Sequence, residues 1–365
     1  MTERDGIVSS KTVLCCMFGG KSTEYEVSLA SAYSVITNVN RDIFDVVTVG
    51  ITKDGKWWLY TGDVENIRND TWHSDEKYLT KVYLSLDYGD KEFVLVDKDG
   101  KTERKKIDVI FPVMHGANSE DGTLQGLFEL SGIPFVGPAC ASSAISMDKA
   151  YTKLVLSNYK HIKQADYIIV GKNDICDVDS IKRAVNEKFS YPVFVKPANA
   201  GSSVGVGKVM SEDDLEQVLT EALKYDRKVL IEEFIGGKEV EIAIMGNDSL
   251  SASPCGEIDP GSEFYDYETK YKNDTAKYYI PARVTAATMA KIDSLAKDIY
   301  RILGCKGLSR VDFFVRGEGE NEEVVFNEIN TLPGFTSISM YPKLFKETGM
   351  TYSEIITSLV NLAME

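Results

Sequence analysis

The chain is 365 residues long, 43% hydrophobic and 27% charged, with a formal net charge of −15. Such a length is long for one core, so two or three domains are expected, while the acidic balance disfavours nucleic acid or an anionic membrane as partner, since both demand a basic surface. No run of ~18 apolar residues suggests a spanning helix, and MTERDGIVSSK at the start lacks the apolar core of a secretory signal.

The six cysteines (Cys15, Cys16, Cys140, Cys176, Cys255, Cys305) form no C-x-x-C pair and read as reduced cytosolic thiols, and three histidines (His73, His115, His161) are too few for a histidine-rich metal centre. A cytoplasmic protein is therefore expected.

The first third alternates in type. Residues 12–18 read as a strand, 27–39 as a helix, 44–51 as a strand, 107–114 as a strand, 124–130 as a helix and 134–137 as a short strand. This is the pattern of a wound α/β domain, in which ligands sit beyond the carboxyl ends of the strands. The loops 19–24 and 115–122 fall there. Gly20-Lys21-Ser22 is not a P-loop, because Cys15 stands where that motif needs its first glycine. Glu24 is then available for binding, although a carboxylate at a helix start also favours the helix dipole.

Next come a helix over 141–157, a strand over 165–170, a helix over 178–188 and a strand pair over 193–209. Within the pair, PVFVKPANAGSSVGVG sets Lys196 beside a small-residue loop, Ala200-Gly201-Ser202-Ser203. Glycines there let backbone N–H groups approach phosphate oxygens and a lysine adds a compact charge; a tight hairpin with an incidental lysine is the plainer alternative. Ser211-Glu212-Asp213-Asp214 reads as a capping box ahead of a helical run through Leu215, Leu219 and Leu223.

Strands are expected over 229–233 and 240–245, a long aromatic loop over 261–277, a helix over 288–303 and a last helix over 352–363. Glu232, Glu233 and Glu239 could supply the acceptors that an adenine amino group and ribose hydroxyls need in an apolar slot. The loop, with Lys270 and Tyr271 as its most obvious polar contacts, suits a water-excluding lid. Between the two helices, LSRVDFFV and VVFNEINTLPGFT form a hairpin. A turn about Glu320 sets Asp312 opposite Glu328 and Arg310 opposite Asn330, about 5 Å apart at Cβ. Two carboxylates and an amide oxygen suit Mg²⁺ held with nucleotide phosphates; a solvated edge hairpin is the other reading.

Together, GGKSTEYEVSL, HGANSEDGTLQG, SMDK, FVKPANAGSSVGV, IEEFIGGKE, FYDYETKY, SRVDFF and NEINTLPGFTSISMYP, in order along nearly the whole chain, resemble the D-alanine–D-alanine ligases of the ATP-grasp superfamily. The resemblance implies a mixed α/β, three-domain ATP-grasp fold: an N-terminal wound α/β domain (1–138), a central subdomain (139–227) and a C-terminal domain carrying lid and metal site (228–365). It implies that ATP phosphorylates a first D-alanine, whose acyl phosphate a second D-alanine attacks. Glu24 would hold the first ammonium and link through Ser202 to Tyr271, with His115 bordering that substrate. Lys149, Lys196, Ser202 and Ser203 would meet ATP phosphates, and Glu232, Glu233, Phe234, Ile235 and Glu239 the adenosine. Lys270 would touch the γ-phosphate or the second carboxylate. Asp312, Glu328 and Asn330 would hold two Mg²⁺ (or Mn²⁺) ions, Arg310 and the Gly334 amide would face the oxyanion, and Ser339 the second carboxylate.

Tyr271, and apolar Met340 beside Ser339, favour D-alanine over D-lactate or D-serine as second substrate; a D-alanine–D-serine ligase of the same fold is the alternative. Ala200 departs from the family, where a glutamate often precedes the Gly-Ser-Ser loop. A homodimer is the family precedent. Another ATP-grasp carboxylate–amine ligase and a non-catalytic nucleotide sensor are more distant readings; the sensor would not need Asp312, Glu328, Asn330 and Arg310 together.

Overall fold

The computed structural model describes residues 11–259 and 277–365. It has the mixed α/β architecture expected from the sequence, in three sheets.

The first sheet has seven strands: β1 (Thr12–Gly19), β2 (Phe44–Ile51), β3 (Trp57–Tyr60), β4 (Leu79–Leu84), β5 (Glu92–Val96), β6 (Thr102–Lys106) and β7 (Val109–Val113), in the order β6-β5-β4-β3-β2-β1-β7. β1 pairs in parallel with β2 and β7. Its LCCMF run is fully buried because both faces are covered: Leu14, Cys16 and Phe18 enter one core, Cys15 and Met17 the other. Helix α1 (Tyr25–Asn38) follows β1, α2 (Val64–Arg68) follows β3, and α3 (Thr123–Ser131) follows β7.

The wound pattern holds for β2-β1-β7 only. From β2 outward the sheet is an antiparallel meander ending in β6, TERKK, an edge strand whose charges discourage pairing with another chain. The short strand expected over 134–137 shrinks to a single parallel bridge between Ile110 and Phe135.

The helix expected over 141–157 is two, α4 (Cys140–Met147) and α5 (Lys149–Leu156). Asp148 breaks it: its backbone is extended and its carboxylate accepts from the N–H groups of Ala150 and Tyr151, capping α5. The second sheet orders β10 (Gly207–Val209), β9 (Val193–Pro197), β11 (Lys228–Glu233) and β8 (Tyr167–Gly171), all antiparallel. α6 (Val178–Lys188) and α7 (Leu215–Ala222) cover one face through Ile181, Val185, Leu215 and Leu219, against Val193, Val195, Val229 and Ile231. The alternate residues, Phe194, Lys196, Leu230 and Glu232, face the other way. The expected capping box at Ser211 is absent: its hydroxyl bonds the Asp214 carboxylate rather than a backbone N–H. A true capping box joins Thr351 and Glu354 at the start of the last helix.

The third sheet runs β15 (Lys277–Tyr279), β14 (Gly256–Asp259), β12 (Lys238–Gly246), β16 (Gly307–Arg316), β17 (Glu323–Asn330), with β13 (Leu250–Ala252) also on β12. Helix α8 (Ala286–Ile302) packs on one face, and α9 (Met340–Lys346) and α10 (Tyr352–Met364) join the core of the first unit. Phe335 clamps the two: its ring packs edge-on to Phe111 at 5.5 Å and its N–H donates to Ser31 in α1.

Candidate functional site

In the β16–β17 hairpin, Arg310 pairs with Asn330 and Asp312 with Glu328, the register expected from a turn about Glu320. One feature differs. Past Asp312 a bulge shifts the register, so that Phe313 faces Phe326 and Asn327 is the extra residue. The apolar spacing requires it. Phe326 and Ile329 are three apart, an odd step, yet both enter the same core, and only an inserted residue restores a common face. The bulge turns Asn327 to the cleft beside Glu328.

Arg310 forks onto Asp312, Nε to Oδ1 at 2.8 Å and an Nη to Oδ2 at 2.7 Å, and also lies 3.0 Å from Glu241. Burial works against the guanidinium charge, but these carboxylates outweigh it and hold its pKa well above the ordinary arginine value. Asn330 donates through Nδ2 to Asp312 Oδ2 at 3.0 Å. A carboxylate only accepts, so this fixes the amide orientation and turns the Asn330 carbonyl oxygen away from Asp312. Glu328 lies 3.3 Å from Lys149, whose ammonium also donates to the Ala200 carbonyl.

On the facing sheet, Lys196 stands opposite Leu230 and Glu232 opposite Phe194. The diagonal closes as an ion pair, Lys196 Nζ to Glu232 Oε2 at 2.7 Å, while Lys153 approaches Oε1 at 3.0 Å. Burial alone would raise Glu232; the two lysines pull it down to about 2. Burial lowers Lys153, whereas Lys196 is held above its ordinary value because Glu232 outweighs its burial. Phe234 lies 5.8 Å from Phe194, ring to ring, and with Ile235 and Glu239 lines the slot. Glu233 turns back, accepting from the Asp166 N–H at 2.9 Å.

At the other end, Glu24 stands at the start of α1, accepts a hydrogen bond from the Ser202 hydroxyl and makes no capping bond to the helix. A Cβ on Gly116 or Gly201 would fall 2.4 or 2.5 Å from Glu24 Oε2, so a side chain at either place would displace the Glu24 carboxylate, and at Gly116 the left-handed φ of 72° favours glycine as well. Ser202 and Ser203 both have left-handed backbones, φ 49° and 59°, a conformation non-glycine residues adopt under constraint.

His115 links the units. Its Nδ1 meets the Leu332 carbonyl at 2.9 Å, which can only accept, so Nδ1 carries the proton; Nε2 then accepts from Ser31, whose oxygen takes the Phe335 N–H. Burial lowers the His115 pKa, favouring this neutral form. Buried Glu120 accepts from the Gly116 and Leu332 N–H groups at 2.9 and 3.4 Å. Burial, then the charge of Glu24, push it up to about 8.

Gly334 and Ser339 touch: a Cβ on Gly334 would lie 2.7 Å from Ser339 Oγ, which accepts from the Thr336 N–H at 3.0 Å. Met340 is buried and its Cε occupies the space above Gly256.

The structure thus gathers Glu24, His115, Arg310, Asn330, Gly334, Ser339 and Met340 around one chamber, and Lys196, Ser203, Glu232, Glu233, Phe234, Ile235, Glu239 and Asp312 around a second; Lys149, Ser202 and Glu328 line both. Lys270 and Tyr271 lie outside the described residues. Sequence reasoning missed Lys153, Asn327, Glu120 and Ser31. For Lys153 a signal existed, its i, i+4 spacing from Lys149 on one helix face.

Two antiparallel sheets closing on one cleft, one lined with lysines and the other with carboxylates, define the ATP-grasp class. The chain belongs to the D-alanine–D-alanine ligase family: models described as "D-ala D-ala ligase N-terminus" and "D-ala D-ala ligase C-terminus" match residues 13–138 and 156–361. It is 47% identical to a D-alanine–D-alanine ligase of Acetivibrio thermocellus, over 98% of this chain and 97% of that protein. Among solved structures, the VanG D-Ala:D-Ser ligase of Enterococcus faecalis superposes with a TM-score of 0.87 at 40% identity, over 97% of this chain and all (100%) of that one. The D-alanine–D-alanine ligase of Coxiella burnetii gives 0.84 at 30%, over 97% and 94%.

Proposed function

We propose that this chain joins two D-alanines at the expense of ATP, the first carboxylate taking the γ-phosphoryl group and the second amine displacing phosphate from the acyl phosphate. The carrying observation is the meeting of the two chambers at Lys149, Ser202 and Glu328: a nucleotide in one would present its terminal phosphate where the other holds an amino acid.

In this reading Lys149, Lys196 and the 200–203 loop hold the phosphates, and the residues from Glu232 to Ile235, with Glu239, hold adenosine. Glu24 takes the first ammonium, its carboxylate held by the Ser202 hydroxyl, and His115 borders that substrate. Arg310 and the Gly334 N–H stabilise the oxyanion, and Ser339 meets the second carboxylate. Lys270 and Tyr271 would complete the closed site.

Asp312, Glu328 and Asn330 suit a hard cation, since all three offer oxygen and stand on paired strands. Among the described residues no cluster of three or more His, Cys, Asp or Glu side chains could hold a metal; with ATP bound, phosphate oxygens would join Asp312, Glu328 and Asn330 in the shell. Bound there with ATP, two Mg²⁺ ions would neutralise charge on the transferring group; Mn²⁺ suits the same donors.

The likeness to a D-Ala:D-Ser ligase favours D-serine as a second reading. Against it, Met340 presents an apolar side chain, and a serine hydroxyl left unpaired costs ~1–3 kcal/mol. Phosphate release from ATP with D-alanine, against D-serine in competition, tests both: a higher kcat/KM for D-serine overturns the choice, and no release with either overturns the ligase reading. A cytoplasmic homodimer is expected; no helix among the described residues is long and apolar enough to cross a membrane.

A further inference from the structure

We propose that Lys153 is a positioning residue for the nucleotide base: it keeps Glu232 ionised and aimed when Lys196 turns to the phosphates. The inference rests on the nucleotide reading above.

Glu232 divides its oxygens between two cations, Oε1 to Lys153 and Oε2 to Lys196. The two lysines differ in depth. The Lys196 side chain is 16% exposed and stands 3.4 Å from Asn327 in the cleft; that of Lys153 is 3% exposed. Lys153 is also anchored from behind. Its ammonium donates to the Ala165 carbonyl at 3.3 Å and lies 5.4 Å from the centre of the Tyr167 ring. Lys196 can therefore be drawn onto an incoming phosphate, while Lys153 stays with Glu232.

Without Lys153, that movement would strand a carboxylate whose side chain is only 5% exposed, and such a group takes up a proton rather than remain a lone buried charge. The difference matters for recognition. An ionised carboxylate only accepts and selects the 6-amino group of adenine; a protonated one can also donate and tolerates the 6-oxo group of hypoxanthine. A purely structural role would not require an ion pair here, since an apolar pair of similar volume fills a buried site as well.

The test measures binding of ATP and of inosine triphosphate to the full chain by calorimetry with Mg²⁺ and no D-alanine, together with the KM and kcat for ATP. K153M is expected to weaken ATP about tenfold, the order of one charge-assisted bond, to leave inosine triphosphate within about threefold, and to keep kcat within about twofold; K153R is expected to restore discrimination. Should K153M not fold, K153Q, which can still bond Glu232 but carries no charge, is expected to show the same loss. Equal weakening of both nucleotides, or a fall in kcat with nucleotide affinity intact, overturns the role of Lys153. A native chain that binds neither nucleotide overturns the reading of the slot itself.

Discussion

Glu24 stands at the start of α1, yet its carboxylate is bonded to the hydroxyl of Ser202, 178 positions further along the chain. One hydrogen bond thus joins the first unit to the glycine-rich loop of the second, at a point where a Cβ on Gly116 or Gly201 would push into the Glu24 carboxylate. The loop holds Ser202 there in a left-handed conformation, so the hydroxyl is delivered to Glu24 against the backbone's own preference.

Replacing Ser202 separates the bond from the strain. Ser202→Ala removes the hydroxyl and keeps the disfavoured backbone, whereas Ser202→Gly removes both. Both should raise the KM for the first D-alanine, because the partner of Glu24 is gone. Ser202→Gly should be the more stable of the two by about 1 kcal/mol, read by urea denaturation. Equal stability would mean that φ at this position relaxes once the hydroxyl is lost.

Glu328→Gln should abolish turnover in an otherwise folded chain. Glu328 is partly exposed and pairs with Lys149 at 3.3 Å, so neutralising it should cost no more than about 1 kcal/mol of stability. The charge it brings to the cation and phosphates would be lost. Circular dichroism and thermal melting should be near native and phosphate release undetectable; full activity would remove Glu328 from the metal assignment.

The hairpin was legible because side chains alternate: once the turn lay near Glu320, the partners of Arg310 and Asp312 followed by counting. The bulge at Asn327 was written there too, in the odd interval between Phe326 and Ile329, but only the packed core shows that both must face one way. Asp148 looked like the interior of one helix because its neighbours keep helical spacing; its role as a cap depends on its own backbone geometry. The β3–β6 meander was illegible for a different reason, since short half-exposed strands carry weak periodicity. Glu120 read as one more loop acid, and only burial distinguishes it.

Stability should carry the mark of Glu120. Its folded pKa of about 8 stands above its ordinary value of 4.5, so between those values the folded chain holds a proton that the unfolded chain has released. The stability contributed by this group is full below pH 4.5 and is lost as pH rises through about 8. Glu24 faces it with like charge and Arg310 with opposite charge. Native chain and Glu120→Gln, unfolded in urea at about pH 5 and about pH 8.5, should show the native advantage shrinking at the higher pH. A difference independent of pH would mean that Glu120 is already ionised in the folded state.

Gly256 should govern the second amino-acid chamber through Met340. A Cβ at position 256 would lie 2.5 Å from Met340 Cε and 2.7 Å from a Leu344 methyl. Both contacts are ends of flexible side chains, so Gly256→Ala should fold, at an overpacking cost of about 1–3 kcal/mol. Met340 has little room to retreat, being buried among Gly256, Leu344 and the chamber it lines, and its methyl should be pushed inward. The expected result is a higher KM for the second D-alanine with the ATP KM unchanged. Met340→Ala in the same background should recover part of both stability and affinity, because the atom in conflict is gone. If the single and double variants bind the second substrate alike, Met340 does not shape that chamber, and the preference for a methyl over a hydroxyl must come from another wall.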